Sequence, residues 1–150
     1  FLAYPATSPL DEHGTTKTDN PLTYIERYEM IRDALLDFGV KREEFEIIPF
    51  PISSPDVLLQ YAPGDAVYYM SICSPWDEEK YQILQSLDLN VEVLWRRTGE
   101  EKGITGTELR AMIARGEDWQ QYMPKTAAEY LERNSIDQRI RHLYYTYGGK

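Results

Sequence analysis

Short apolar segments alternate with segments of helical spacing through the first two thirds of this chain, and that alternation restricts its fold more than any other feature. Strands are expected at Phe1–Ala6, Glu46–Ile52, Ala66–Cys73 and Val91–Trp95. A helical segment separates each from the next, and the polar loop Thr7–Asn20 follows the first. Strands separated by helices cannot close as hairpins. They run parallel, with the helices as crossovers packed on the sheet. At 150 residues the chain is long enough to bury one ordinary core, so a single domain over residues 1–150 is expected.

The helix signals are local and specific. Thr23 and Glu26 form a capping box, and Ile25, Tyr28, Ile31, Leu35 and Leu36 follow at helical spacing until Gly39. Ser54 and Pro55 open a short helix carrying Val57, Leu58 and Tyr61, and Pro63-Gly64-Asp65 turns the chain. Ser74-Pro75 opens another, with Tyr81, Ile83, Leu84 and Leu87 on it and Asn90 expected to close it. Ala66–Cys73 shows little alternation, the pattern of a parallel strand covered on both faces. Pro49 and Pro51 end the strand at residues 46–52 early or place it at an edge. Beyond the charged loop Thr98–Gly103 the pattern is helical to the end. Leu109, Met112 and Ile113 share a face up to Gly116, and Asp118–Tyr122 suits a single turn. Pro124 begins a helix through Leu131, and Ile136, Ile140, Leu143 and Tyr144 mark a last one. The expected class is α/β: a Rossmann-like parallel sheet with helices on both faces and a helical C-terminal part.

Composition narrows the function. A net charge of −9 argues against a nucleic-acid binder, which needs clustered Lys and Arg. No run approaches the roughly 20 apolar residues of a membrane span, and Phe1–Ala6 is too short and lacks the basic flank of a signal peptide. The single Cys73 excludes an internal disulfide, fits a reducing cytoplasm and reads as a buried structural thiol. One Cys and two His make no zinc site. A homo-oligomer is compatible with all of this.

Ile104-Thr105-Gly106-Thr107-Glu108-Leu109-Arg110 lies just after the last expected strand, where open parallel sheets bind ligands. Backbone N–H groups at a helix start face an anion, Gly106 permits close approach, Thr105 and Thr107 can donate hydrogen bonds, and Arg110 can grip phosphate oxygens. The same residues also make an ordinary helix cap, with Thr105 and Glu108 as its box.

Three stretches carry a resemblance to the cytidylyltransferase-like nucleotidyltransferases, and within them to the archaeal-type nicotinamide-nucleotide adenylyltransferases. Asp19-Asn20-Pro21-Leu22-Thr23-Tyr24-Ile25-Glu26-Arg27-Tyr28-Glu29-Met30-Ile31 resembles that family's Asn-Pro-Phe-Thr-x-x-Glu-Arg-x-x-Met-Ile segment. Ile104–Arg110 is similar to its Ile-Ser-Gly-Thr-x-x-Arg motif, with Thr105 in place of Ser, and Glu117-Asp118-Trp119 with Met123-Pro124 resembles the segment that follows. The resemblance implies transfer of an adenylyl group from ATP to a small phosphorylated acceptor, such as nicotinamide mononucleotide in NAD biosynthesis. Pyrophosphate leaves, usually with Mg²⁺ present. It implies that Ile104, Thr105, Gly106 and Thr107 hold the phosphates, that Arg110 neutralises them and acts in catalysis, and that Arg27 lies near the acceptor phosphate. A solvated Arg27 paired with an acid such as Glu29 is the other reading.

Two departures bear on this expectation. The family's His-x-Gly-His motif is absent, and Phe1–Ala6 resembles the family's second strand, so its first βα unit is missing from this sequence. His13 is then the candidate substitute base, or simply an exposed loop residue. The family's acceptor-stacking tryptophan also has no counterpart, which leaves Tyr61 as a stacking candidate or a core residue. Trp76 and Trp95 suit packing or stacking equally, and Trp119 reads as an anchor for its turn. A catalytically inactive or truncated nucleotide-binding or interaction module is therefore the alternative function. Asp77-Glu78-Glu79 complements a helix dipole, Glu100-Glu101-Lys102 covers the nucleotide or is solvated, Tyr144–Tyr147 faces a partner or completes the core, and Gly148–Lys150 is frayed.

Overall fold

The computed structural model describes residues 2–3 (backbone only), 16–98, 101 and 103–147. His13, Glu100, Lys102 and the last three residues lie outside the described residues. Among the described residues four strands form, β1 (Leu2–Ala3), β2 (Pro49–Phe50), β3 (Val67–Ile72) and β4 (Asn90–Arg96), with six α-helices, α1 (Tyr24–Asp37), α2 (Pro55–Leu58), α3 (Pro75–Ser86), α4 (Gly106–Arg115), α5 (Lys125–Arg133) and α6 (Ile136–Tyr147). Both strand pairs are parallel, β1 with β2 and β3 with β4, and β3–α3–β4 is a βαβ unit. The fold is α/β and Rossmann-like, with a helical C-terminal part. No helix among the described residues is long and apolar enough to cross a membrane.

Local chemistry sets most boundaries. Thr23 Oγ1 accepts from the Glu26 amide at 3.3 Å while Glu26 accepts from the Thr23 amide at 2.8 Å, so the capping box starts α1 as expected. Gly39 turns the chain at φ +83° after α1. Ser74 caps α3, and Pro75 occupies its first position. β2 covers two residues of the expected seven, and Pro51, with no N–H to give a ladder, follows it directly. Asp88 at φ +56°, not Asn90, makes the turn after α3, and Asn90 is already the first residue of β4.

β3 differs from the reading of a strand covered on both faces. Tyr68 is buried, but Val67 and Tyr69 are exposed, at 39% and 54%. Among the described residues α3 packs against this pair, and the face bearing Val67 and Tyr69 stays open. The register runs from Val67 opposite Asn90 to Met70 opposite Val93, then slips so that Ser71 faces Trp95. Leu94 is the extra residue of this bulge, which bends the end of β4 just before the loop to α4.

Two apolar clusters hold the chain together. In the first, Phe50, Ile52, Leu58 and Tyr68 pack with Leu84 and Leu89, joining β2, α2, β3 and α3. The Tyr68 hydroxyl donates to the Pro63 carbonyl, satisfying its polar end. In the second, Ile113 of α4, Trp119, Tyr130 and Leu131 of α5 and Ile136 and Ile140 of α6 pack together, with Leu22 and Met30 joining from the α1 side. Trp119 is 5% exposed and anchors the 3₁₀ turn Gln120–Tyr122, as expected. Fully burying a side chain such as Ile136 (0% exposed) contributes about 1.5–3 kcal/mol, so the second cluster is what fixes α4 in place.

Candidate active site

The loop after β4 reaches α4 through Gly103, whose φ of +77° turns the chain toward the helix start. Thr105 is the N-cap of α4. Its amide donates to Glu108 Oε2 at 2.7 Å, its hydroxyl donates to the same oxygen at 2.7 Å, and its Oγ1 accepts from the Glu108 amide at 3.2 Å. The capping reading of this motif is thus realised. These hydrogen bonds from Thr105 hold the Glu108 carboxyl below its usual pKa.

The same geometry leaves Gly106 and Thr107 exposed at the first turn. Arg110 folds back over this turn, its Nη2 donating to Thr107 Oγ1 at 3.1 Å and lying 3.7 Å from the Asp19 carboxylate. A Cβ on residue 106 would stand 3.2 Å from Arg110 Nη1, close enough that the guanidinium would have to shift by a few tenths of an ångström. Burial lowers the Arg110 pKa and the Asp19 charge opposes that shift; an arginine stays charged throughout.

Arg110 belongs to a cavity of about 270 Å³ between the loop before α1 and helices α1, α4, α5 and α6. Asp19, Asn20, Arg27, Gly106 and Arg110 give it a polar part, and Leu22, Met30, Leu109, Ile113, Leu131 and Ile140 an apolar one. Two segments some 85 positions apart in sequence, Asp19–Arg27 and Gly106–Arg110, are thereby brought to one site. Arg27 Nη2 donates to the Leu22 carbonyl at 3.2 Å, and the Glu29 carboxylate takes the Tyr130 hydroxyl. That phenol is held up at a pKa of about 12 by its hydrogen bond to Glu29 and by burial.

Other expected site residues lie elsewhere. Tyr61 is 49% exposed beyond the end of α2, so it does not fill the core, and it lies outside the wall of this cavity. Trp95 is 45% exposed with the Arg97 guanidinium 5.1 Å above its ring, and Trp76 packs beside the first cluster. Glu101 accepts from the Thr98 amide at 2.8 Å and folds onto its own loop. Cys73 is half-buried. Sequence reading gave no role to Asp19 or Arg139. Asp19 stands at the head of the matched segment, so its place was marked. For Arg139, which ties α6 to the α1 loop, no local pattern existed.

An arginine and a glycine-opened helix start stand beyond the end of a parallel strand, the place where open α/β sheets bind ligands. Comparison with known proteins adds to this. No family model matches the chain. It is 40% identical over 122 residues to phosphonoformate cytidylyltransferase of Streptomyces viridochromogenes, covering 81% of this chain and 65% of that protein. It is 27% identical over 145 residues to nicotinamide-nucleotide adenylyltransferase of Saccharolobus solfataricus, covering 91% and 76%, and 27% identical over 137 residues to that of Pyrococcus furiosus, covering 83% and 65%. The chain spans a little less than two thirds of the cytidylyltransferase and of the Pyrococcus furiosus enzyme, and 76% of the Saccharolobus solfataricus one. The chain is thus similar over most of its length to nucleotidyltransferases, and it resembles both a cytidylyltransferase and the archaeal-type nicotinamide-nucleotide adenylyltransferases.

Proposed function

We propose that this chain carries the triphosphate grip of a nucleotidyltransferase that moves a nucleoside monophosphate from a nucleoside triphosphate to a small phosphorylated or phosphonylated acceptor. The observation that carries this reading is the meeting of Arg110 and Gly106 with the Asp19–Arg27 segment around one cavity. An ionised oxygen of the acceptor attacks the α-phosphorus. The bond from that phosphorus to the bridging oxygen of the β-phosphate breaks, and pyrophosphate leaves with the electron pair. The nucleophile is already an anion, so the protein's task is positioning and charge stabilisation, and no base at His13 is required. The Gly106 and Thr107 amides and the guanidinium of Arg110 would meet the β- and γ-phosphates, where charge grows; the Thr105 amide is taken by Glu108. Arg27 meets the acceptor anion.

Among the described residues no three His, Cys, Asp or Glu side chains gather into a ligand set. A Mg²⁺ carried in by triphosphate oxygens would find the Asp19 carboxylate in the cavity wall and would supply positive charge for the departing pyrophosphate.

For the donor, the 40% relative favours a cytidylyl group and a phosphonate acceptor such as phosphonoformate. Adenylyl transfer from ATP to nicotinamide mononucleotide is the second reading, supported by the adenylyltransferase relatives. Calorimetry with CTP and with ATP, each with Mg²⁺, and pyrophosphate release on adding either acceptor separate them. Tight CTP binding with release on phosphonoformate is expected. Release with ATP and nicotinamide mononucleotide selects the second reading, and binding without release selects an inactive nucleotide-binding module. Absence of any nucleotide binding, or unchanged binding by Arg110→Ala, refutes the site.

A further inference from the structure

The geometry points to Arg139 of α6 as a positioning residue that holds the Asp19–Leu22 wall of the nucleotide cavity, and through Asp19 orients Arg110. The inference rests on the reading of Arg110 as the triphosphate grip. Arg139 Nη1 donates to the Pro21 carbonyl at 3.0 Å and to Glu26 Oε2 at 2.8 Å, and Nη2 donates to Glu26 Oε1 at 2.8 Å. This is a bidentate fork on a carboxylate with one more donor turned onto a loop carbonyl, a geometry lysine cannot reproduce. Glu26 is 13% exposed and also accepts from the Thr23 amide at 2.8 Å, so a single carboxylate joins the start of α1 to α6. From the other side Arg27 Nη2 reaches the next carbonyl, that of Leu22, at 3.2 Å. Two successive carbonyls of the loop are therefore held by guanidinium groups.

The chain immediately before those carbonyls carries Asp19. One of its carboxylate oxygens takes the Thr16 hydroxyl at 2.6 Å, and the other faces Arg110 at 3.7 Å. Among the described residues of the cavity wall, Asp19 is the carboxylate that faces Arg110. A shift of the loop moves the carboxylate that faces Arg110 Nη2, the same nitrogen that donates to Thr107 Oγ1. Arg139 itself is not in the cavity wall, although its neighbour Ile140 is, so its influence on bound phosphate runs through the loop.

The test is a cycle of Arg139→Gln and Arg110→Ala on nucleotide affinity, with Arg139→Lys as the conservative variant and amide hydrogen exchange recorded without nucleotide. Arg139→Gln is expected to weaken CTP or ATP binding by about tenfold in the presence of Arg110 and to add almost nothing in its absence. Arg139→Lys recovers only part of the loss. Exchange at the Asn20, Leu22 and Thr23 amides should quicken at least several-fold in Arg139→Gln, with the α5 amides unchanged. Additive losses in the cycle, or wild-type exchange in that loop, overturn the positioning role. If the wild-type protein binds no nucleotide, the reading of Arg110 fails, and the exchange result alone then decides whether Arg139 holds the loop.

Discussion

Thr105 allows the two readings of the α4 start to be separated by one substitution. As a helix cap it contributes an acceptor to the Glu108 amide; as part of a phosphate site it stands where negative charge must be welcome. Thr105→Asp keeps the first property and reverses the second. Aspartate caps at least as well as threonine, and its repulsion from Glu108 at i,i+3 costs about 0.2–0.5 kcal/mol. Stability therefore stays within about 0.5 kcal/mol, a change of no more than about 2 °C in Tm for a chain of this size. Thr105→Ala, by contrast, removes the cap at about 1 kcal/mol, or about 2–4 °C. For binding, a unit charge about 5 Å from a phosphate costs about 0.8 kcal/mol at the dielectric of water and about 3 kcal/mol at an effective value of 20. Thr105 is half-buried and a triphosphate brings more than one charge within reach, so a loss near the upper figure, about a hundredfold in affinity, is expected for Thr105→Asp. Calorimetric titration with CTP or ATP in Mg²⁺, alongside a thermal melt, measures both. Wild-type affinity in a well-folded Thr105→Asp protein would refute the phosphate-site argument and leave only the cap.

Three further outcomes follow from the geometry. Gly106→Ala should hold or slightly raise stability, since alanine suits a helix better by up to about 1 kcal/mol, yet weaken nucleotide binding severalfold, because its Cβ displaces Arg110; parallel melts and titrations show whether the two effects part. Ile113→Ala should cost about 2–5 kcal/mol of unfolding free energy in urea, since the side chain is 2% exposed in the second cluster and leaves a cavity. The Arg139 hydrogen bonds hold the Glu26 carboxyl below its usual range. Its folded pKa is depressed, so its contribution is present above the unfolded value of about 4.3 and is lost as pH falls through the folded one. Glu26→Gln should accordingly lower the urea midpoint at pH 7 and converge with wild type in strong acid; a constant offset across pH would contradict the assignment.

Elements with a complete local code were legible. The capping boxes at Thr23 and Thr105 each need only a threonine and a glutamate three residues on, and both form as read. The glycines after α1 and α4 likewise stand at positive φ where a helix stops. What depends on a partner was not legible. The bulge at Leu94 is a mismatch between two strands, and nothing within residues 90–96 announces it. Val67 and Tyr69 belong to a run that reads as covered on both faces, and their exposure is decided by what packs on the sheet. Arg139 shares its helix with Arg141, and the difference between them is a carbonyl and a carboxylate more than a hundred residues away.

The parallel course of β3 and β4 has a practical consequence for handling the protein. Both strands deliver their carboxyl ends toward the α4 side, so the turns that enter them, Pro63-Gly64-Asp65 and Asp88, lie at the other end of the pair. Gly64 is exposed, and a Cβ there would meet nothing within 4 Å. Pro63 must be kept, because its carbonyl takes the Tyr68 hydroxyl. A fluorophore or affinity tag grafted between Gly64 and Asp65 would thus sit at the end of β3 opposite the Gly106–Arg110 turn, giving a reporter that leaves the proposed site on the other rim untouched.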